Sequence, residues 1–231
     1  MRDAQPVSAR DVLRAGARVA NARGIPGTLG CCGRTLDDQR LVFLSTHHVL
    51  FGARAHEQEY VSADCGPGSG LLRIARTRHG RCGTVHLTGI DVHVDCATAE
   101  VAEQLVDLSG VQFEAEPVDT SPLTVGTRVV KTGATTGTTE GIVVDAHANE
   151  EVRIAGRRIH ARGTIVVRAP ADGERFSADG DSGAVLRAPS GAIVGLAWGV
   201  NARGDTLACP IAPVLQLLHF VPVHLVPSSA A

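Results

Sequence analysis

With 231 residues, of which 44% are hydrophobic and 20% charged, the chain is long enough for one large or two ordinary globular domains. Its formal net charge of -2 argues against binding to nucleic acid through a broad positive field. Residues 1–16 carry charges where a secretory leader needs an apolar stretch, and the sequence contains no apolar run long enough to span a bilayer. We therefore expect a cytoplasmic protein that binds neither nucleic acid nor membrane.

The first predicted element is a helix near the N-terminus. Over residues 7–23, apolar side chains recur at helical spacing behind Ser8, which is a suitable N-terminal cap, although Gly16 weakens the pattern. We expect residues 1–26 to form a helical extension, and this extension is the candidate site for a protein partner.

From residue 27 onward the pattern changes to short β-branched runs separated by Gly, Asp, Asn and Pro, which is typical of all-β sandwiches and barrels. About ten to twelve strands are expected, enough for two packed six-stranded antiparallel β-barrels. The acidic, proline-containing segment 107–125 is the predicted join, so the first barrel is placed at residues 27–115 and the second at 116–225. The apolar run 211–221 predicts a short closing helix or a packed tail.

The six cysteines and ten histidines raise the question of a metal site. In a chain without an export signal, free and buried thiols are the default state of cysteine. There is no Cys-x-x-Cys pair and no His-Glu-x-x-His helix, and His86, His93 and Cys96 do not have a ligand spacing. We therefore expect neither a metal nor a cofactor.

A serine flanked by glycines occurs in the segment Gly180-Asp181-Ser182-Gly183. In such a tight turn, the hydroxyl can project while neighbouring N–H groups converge, as acyl transfer requires for stabilising an oxyanion. The predicted donors are the amides of Gly180 and Ser182. Gly, Asp and Ser also form ordinary turns, so the tetrapeptide alone leaves that interpretation equally open.

A serine nucleophile needs a histidine base and an orienting carboxylate, because a free hydroxyl is a weak nucleophile. His47 and His48 follow the apolar strand 41–44, and for an isolated histidine pair the simpler interpretation is that both rings cap a strand at the surface. The candidate carboxylates are Asp91 and Asp95. Strand alternation places both on the same face, so periodicity does not choose between them.

Four segments in chain order resemble motifs of trypsin-like serine peptidases of the bacterial type. They are residues 44–49 around the histidines, 94–97, 180–183, and the tryptophan segment 195–199. A Gly-Thr-rich turn at 133–141 is also similar, and the resemblance covers roughly residues 27–220. The order histidine, aspartate, serine is that of the chymotrypsin class.

The resemblance implies a chymotrypsin-like pair of barrels and a serine endopeptidase acting on polypeptides through an acyl-enzyme. His48 would be the base and Ser182 the nucleophile. Asp95 would be the orienting carboxylate in preference to Asp91, since a small apolar residue lies two positions after Asp95 as in the family pattern. No cofactor is implied.

The resemblance also implies a substrate cleft lined by Ala197, Trp198 and Gly199, with Phe176 at the base of the specificity pocket. Without an acidic base, the pocket is not expected to select Lys or Arg; it would accept a small apolar side chain or be closed. The Ile-Val-Gly-Gly start of zymogen-derived relatives is absent, so Asp181 is left without an N-terminal partner and activation by cleavage is not expected.

Two other functions stay open from the sequence. One is a catalytically silent member of the family that serves as a binding or assembly module, which the Phe176 position and the His-His pair would suit. The other is an esterase or acyltransferase that uses the same three residues on a non-peptide substrate.

Overall fold

The computed structural model of the chain describes residues 6–52, 58–64, 70–87, 89–154, 157–171 and 173–228. Three features of the sequence lie outside the described residues: the charged start at residues 1–5, the thiol of Cys65 and the chain end at 229–231.

Strands dominate the described residues, with a few short helices between them. In chain order the elements are β1 Val7–Ser8, α1 Ala9–Val12, β2 Arg18–Asn21, β3 Pro26–Thr28, β4 Cys31–Thr35, β5 Leu41–Ser45, α2 His47–Leu50, β6 Tyr60–Asp64, β7 Leu71–Leu87, β8 Ile90–Val101, a 3-10 turn Glu103–Leu105, β9 Val106–Asp107, β10 Val111–Ala115, β11 Arg128–Gly133, β12 Gly137–Ile154, β13 Arg157–Arg168, β14 Val185–Arg187, β15 Ile193–Val200, β16 Thr206–Pro210, α3 Ile211–Leu218 and β17 Phe220–Pro227.

The first sheet is antiparallel and runs in the order β10-β17-β4-β5-β8-β7-β6-β2-β3. Its inner strand β5 is buried along its whole length because its two faces meet different cores. Leu41 and Phe43 point into the core of the first sheet, whereas Val42 and Leu44 point into a cluster shared with the second sheet. This alternation is the two-residue repeat of a strand.

The second sheet is a closed barrel with the strand order β11-β12-β13-β16-β15-β14. Its interior is filled by a cluster of apolar side chains that includes Ile165, Phe176 and Leu186. Closure leaves this sheet without edge strands, which removes exposed backbone pairing groups from its rim.

The two sheets pack through β8, which contacts β13 and α3. Val92 and Val94 of β8 belong to the same buried cluster as Trp198 and Leu207 of the barrel. The strand that carries Asp91 and Asp95 is therefore anchored against the second sheet.

The all-β fold of two packed sheets and the closing helix α3 are confirmed. The helix expected over 7–23 is wrong beyond its first turn: α1 ends at Val12 and the chain continues as strand β2. Gly16, with φ +84°, lies in the left-handed region between them. In α1, Ala9 and Val12 are buried in the first core whereas Arg10 and Asp11 are exposed, and the protein partner expected at this extension stays a prediction.

The sheets also divide the chain differently from the expected domains. β2 and the first residue of β3, Pro26, precede residue 27 yet belong to the first sheet, and β17 returns to pair with β4 and β10 of that sheet. The closed barrel extends from β11 to β16. No helix of the described part is long and apolar enough to cross a membrane.

Candidate active site

His48 lies in the first turn of α2, directly after β5. Ser45 at the end of β5 pairs with Ala97 of β8, so Asp95, two residues earlier on β8, lies beside this turn. His48 Nδ1 and Asp95 Oδ2 are 2.6 Å apart, and the backbone N–H of His48 donates to Asp95 Oδ1 over 3.0 Å. One carboxylate therefore holds both the ring and the backbone of His48.

The carboxylate of Asp95 is buried, with only 1% of its side chain exposed. Burial alone would raise its pKa, but the hydrogen bonds and charge of His48 outweigh burial and hold the pKa below its usual range. Asp95 is therefore ionised at neutral pH and able to fix the orientation of the imidazole.

Asp91, the other candidate, lies near the tip of the β7–β8 hairpin. Its carboxylate is 3.0 Å from His86 Nδ1 and accepts a 2.9 Å hydrogen bond from Arg162. The structure therefore brings Asp95, and not Asp91, to His48.

Ser182 lies in a loop whose backbone is held by the first sheet. Gly180 and Gly183 have φ values of +97° and +101°, a region that favours glycine. Thr28 donates through its backbone N–H to the Ser182 carbonyl and through its hydroxyl to the Gly180 carbonyl, each over 2.8 Å. The N–H of Gly183 donates to the carbonyl of Ala197 over 2.8 Å, which ties the loop to β15.

The amides of Gly180 and Ser182 have no acceptor among the described residues, whereas Thr28 binds the carbonyl of each. Both residues are partly buried, so solvent or a ligand can reach these two donors. A bound oxyanion is the ligand that such a pair suits.

The Ser182 hydroxyl donates a long hydrogen bond of 3.4 Å to the carbonyl of Trp198, and within the described residues no hydrogen bond joins it to His48. The two segments are nevertheless adjacent. A Cβ added at Gly27 would lie 2.5 Å from the methyl groups of Val49 and 3.0 Å from the Ser182 carbonyl oxygen. Catalytic hydrogen bonds are often long without substrate, so this geometry is compatible with a serine–histidine pair.

Asp181, between the two unpaired amides, is buried and bound from several sides. It accepts hydrogen bonds from the amides of Thr135, Thr136 and Ala178 and from the Thr136 hydroxyl, and Lys131 Nζ lies 3.2 Å from Oδ2. Burial opposes its ionisation, but these hydrogen bonds and the Lys131 charge hold its pKa below the usual range. They thereby fix the backbone of the Ser182 loop.

Lys131 is a residue that the sequence analysis did not assign. It is the only lysine of the chain, its side chain is fully buried, and its Nζ lies 5.4 Å from the ring centroid of Phe176. Burial lowers the pKa of Lys131, and the charge of Asp181 opposes that shift. The signal was present in the sequence: Val129 and Lys131 alternate on the inward face of β11, where a lysine needs an anionic partner.

The cavity beside Ser182 is small, at about 30 Å³, and is lined by Ser177, Ala178, Asp179, Asp181, Ser182, Ala197, Trp198, Gly199 and Val200. The expected residues Ala197, Trp198 and Gly199 are thus present, but Phe176 is not. The Phe176 side chain is 1% exposed and packs inside the barrel core, so its neighbours Ser177 and Ala178 line the cavity instead.

All five described cysteines are free thiols. Four of them are buried, as expected, but Cys82 is exposed. Two of the residues considered as metal ligands have different neighbours. His86 contacts Asp91 at the hairpin tip, and His93 packs against Trp198 with ring centroids 4.8 Å apart.

No protein-family model and no curated protein sequence matches the chain. Solved structures do. A protease from Nocardiopsis superposes with a TM-score of 0.58 at 16% identity, covering 91% of this chain and 98% of the other. Protease A of Thermobifida fusca gives 0.54 at 17% identity, with 94% and 99% covered. A chymotrypsin from Cellulomonas bogoriensis gives 0.55 at 17% identity, with 91% and 97% covered. At this identity the likeness shows the chymotrypsin fold.

Proposed function

On this chymotrypsin-like fold, we propose that the chain is a serine endopeptidase with Ser182 as nucleophile, His48 as general base and Asp95 as the orienting carboxylate. The observation that carries the proposal is the 2.6 Å contact between His48 Nδ1 and buried Asp95, close to a serine loop with two unpaired amides. A buried carboxylate on one ring nitrogen leaves the other nitrogen free to accept a proton.

In the proposed reaction, Ser182 Oγ attacks the carbonyl carbon of a peptide bond and its proton passes to His48 Nε2. The amides of Gly180 and Ser182 donate to the oxyanion of the tetrahedral intermediate. His48 then protonates the leaving amine, which leaves an acyl group on Ser182. Water, deprotonated by His48, hydrolyses this ester, while Asp95 keeps the imidazole in the required tautomer.

The small cavity supports a narrow substrate preference. A volume of about 30 Å³ has room for about two water molecules, which is close to the size of a very small side chain. Two acidic residues line the cavity: the carboxylate of Asp181 is already bound to Lys131 and to backbone amides, and Asp179 is exposed. The small volume is therefore the feature that excludes long cationic side chains. We infer a preference for glycine or alanine before the scissile bond and rejection of Lys and Arg.

A catalytically silent binding module is the second candidate. It is favoured by the same small cavity and by the Ser182 hydroxyl, which bonds the Trp198 carbonyl and not His48. In that case the fold would be intact and the serine unreactive.

Turnover of a peptide series distinguishes these candidates. The series varies only the residue before the scissile bond, through Gly, Ala, Val, Phe and Arg. We expect cleavage after Gly and Ala, and a loss of at least about 10⁴-fold in Ser182→Ala. Ser190→Ala, which changes an exposed serine of a neighbouring turn, is the matched control and should retain the wild-type rate.

The other outcomes are equally informative. Hydrolysis of small activated esters without peptide cleavage would replace the endopeptidase by an esterase or acyltransferase. If the protein cleaves neither peptides nor esters and its circular dichroism spectrum shows an intact fold, the result favours the silent module.

A further inference from the structure

His47, the neighbour of His48, has no role in the proposed reaction. Its ring stacks on Phe51 with centroids 4.9 Å apart, and a Cβ added at Gly80 would lie 2.8 Å from its Cδ2 atom. Packing on these sides fixes the ring, while the residue stays partly exposed. In the part of the chain that the structure describes, no hydrogen bond occupies either ring nitrogen, so a lone pair is available to a ligand.

Cys82, on β7, lies close to the ring of His47. It faces Asp95 directly across the β7–β8 pair. Partial burial of the thiol and the negative charge of Asp95 raise the pKa of Cys82 to about 11, so the sulfur carries a proton at neutral pH. Because the residue is exposed, an ion from solvent can reach it.

The third group is the carboxylate of Asp95. One ligand atom each from His47, Cys82 and Asp95 lies within 4.8 Å of the other two. Ligands bound to one tetrahedral zinc at 2.0–2.3 Å are about 3.3 to 3.8 Å apart, so a contraction of about 1 Å would bring all three into range. Rotation of the exposed Cys82 side chain is sufficient for a movement of this size.

We propose that His47, Cys82 and Asp95 bind one Zn²⁺ ion, with water in the fourth position, and that the bound ion suppresses reaction at Ser182. A thiolate, an imidazole and a carboxylate are ligands that zinc accepts. The charges also match, since two anionic ligands balance the dication. Binding releases the Cys82 proton to solvent as the Zn–S bond forms, and no electrons are transferred.

The suppression follows from the double use of Asp95. The same carboxylate accepts both hydrogen bonds from His48. A dication on one of its oxygens withdraws negative charge from the carboxylate and competes with His48 for its lone pairs. This half of the inference rests on the proposed peptidase function, whereas zinc binding does not.

Zinc binding is tested without reference to activity, in the full-length Ser182→Ala protein. Titration with Co²⁺ should give one equivalent bound and a sulfur-to-cobalt charge-transfer absorption, and competition with a chromogenic chelator gives the Zn²⁺ affinity. Cys82→Ser and His47→Ala, each added to Ser182→Ala, should weaken Zn²⁺ by more than the roughly 10- to 100-fold that loss of an outer-shell partner costs. His86→Ala, which removes an exposed histidine at the hairpin tip, is the control and should bind as tightly as its parent.

The absence of a charge-transfer band, or equal Zn²⁺ affinity in the parent and the Cys82→Ser protein, would overturn the site. The regulatory half is read from fluorophosphonate labelling of the protein with wild-type Ser182. Zn²⁺ should slow labelling, a chelator should restore it, and the Cys82→Ser protein, compared with its own zinc-free rate, should not respond. Binding without any effect on labelling would remove the suppression. No labelling under any condition would instead count against the proposed function and leave the cobalt result to decide the site.

Discussion

At the scale of single residues, the choice between Asp91 and Asp95 shows what the sequence alone can and cannot resolve. Alternation along a strand places both carboxylates on one face, so periodicity does not choose between them. The resemblance to the family pattern favoured Asp95, and the fold places that carboxylate against His48. The difference is large: Asp95 is buried against His48, whereas Asp91 pairs with His86 and Arg162 near the hairpin tip.

Asp95→Asn is expected to lower kcat by about 10⁴-fold, because an amide cannot hold the imidazole in the tautomer that accepts the serine proton. Asp91→Asn is the matched control, with the same chemical change four residues away, and should stay within a few-fold of wild type. Steady-state kinetics on one peptide checks both. Equal losses in the two variants would contradict the assignment of Asp95.

Lys131 illustrates a different limit. A lone lysine in a chain rich in arginine is easily ascribed to composition, and its partner is fifty positions later in the chain. The alternation of β11 already places it on an inward face, but its counterion becomes evident only when the loop of Asp181 packs against that strand. Long-range polar pairs of this kind depend on tertiary structure and are not encoded in a local pattern.

The Asp181 contacts predict a pH dependence of stability. Its pKa in the folded chain is held below the value of about 3.9 expected when unfolded, so its contribution is fully present above that pH and is lost as the pH falls through the folded pKa. The free energy of unfolding of wild type should therefore exceed that of Asp181→Asn most at neutral pH, and the gap should narrow below about pH 4.

Urea denaturation between neutral and acidic pH measures this gap. Asp179→Asn is the control, because that residue is exposed and no hydrogen bond to its carboxylate is found among the described residues. It should follow wild type throughout. A gap for Asp181→Asn that does not change with pH would show that the carboxylate charge is not what stabilises the loop.

At the scale of elements, local patterns predicted the strands well and the N-terminal segment poorly. The strands were predictable because short runs of β-branched residues are separated by turn residues, and this signal is contained within a few positions. The apolar spacing at 7–23 suits a helix equally well in isolation, but backbone pairing of β2 with β3 and β6 outweighs it. Propensity is a weak prior where a sheet edge is available.

The Ser182 loop depends on a close approach to the first sheet at Gly183. A Cβ there would collide with the Ser45 hydroxyl and the Thr28 carbonyl. We expect Gly183→Ala to reduce the free energy of unfolding by about 1 to 3 kcal/mol more than Gly204→Ala, and to reduce activity.

Gly204 is a matched control because it also has a positive φ, of +84°, with nothing within 4 Å of an added Cβ. The strain of the left-handed conformation is therefore common to both substitutions, and the difference isolates the contact with the first sheet. Equal free energies of unfolding for Gly183→Ala and Gly204→Ala in chemical denaturation would mean that the loop and the first sheet are not in close contact at Gly183.

At the scale of the whole molecule, the proposed site draws its residues from both halves of the fold. Asp95 lies on β8 of the first sheet and His48 on α2 beside it, whereas Ser182 precedes β14 of the barrel and is held by Thr28 of β3 in the first sheet. The sequence predicted two packed all-β units and the three residues in order, since motifs and strand patterns are local. It did not predict that β17 closes back onto the first sheet, because pairing between strands so distant in the chain leaves no local trace.

The most direct test is the stoichiometry and position of a fluorophosphonate adduct, mapped by mass spectrometry on the intact chain and its peptides. We expect one adduct per chain, on Ser182, and a large loss of labelling in His48→Ala. An unlabelled Ser182 in a folded chain, or labelling of Ser182 at the same rate without the histidine, would contradict the proposed triad.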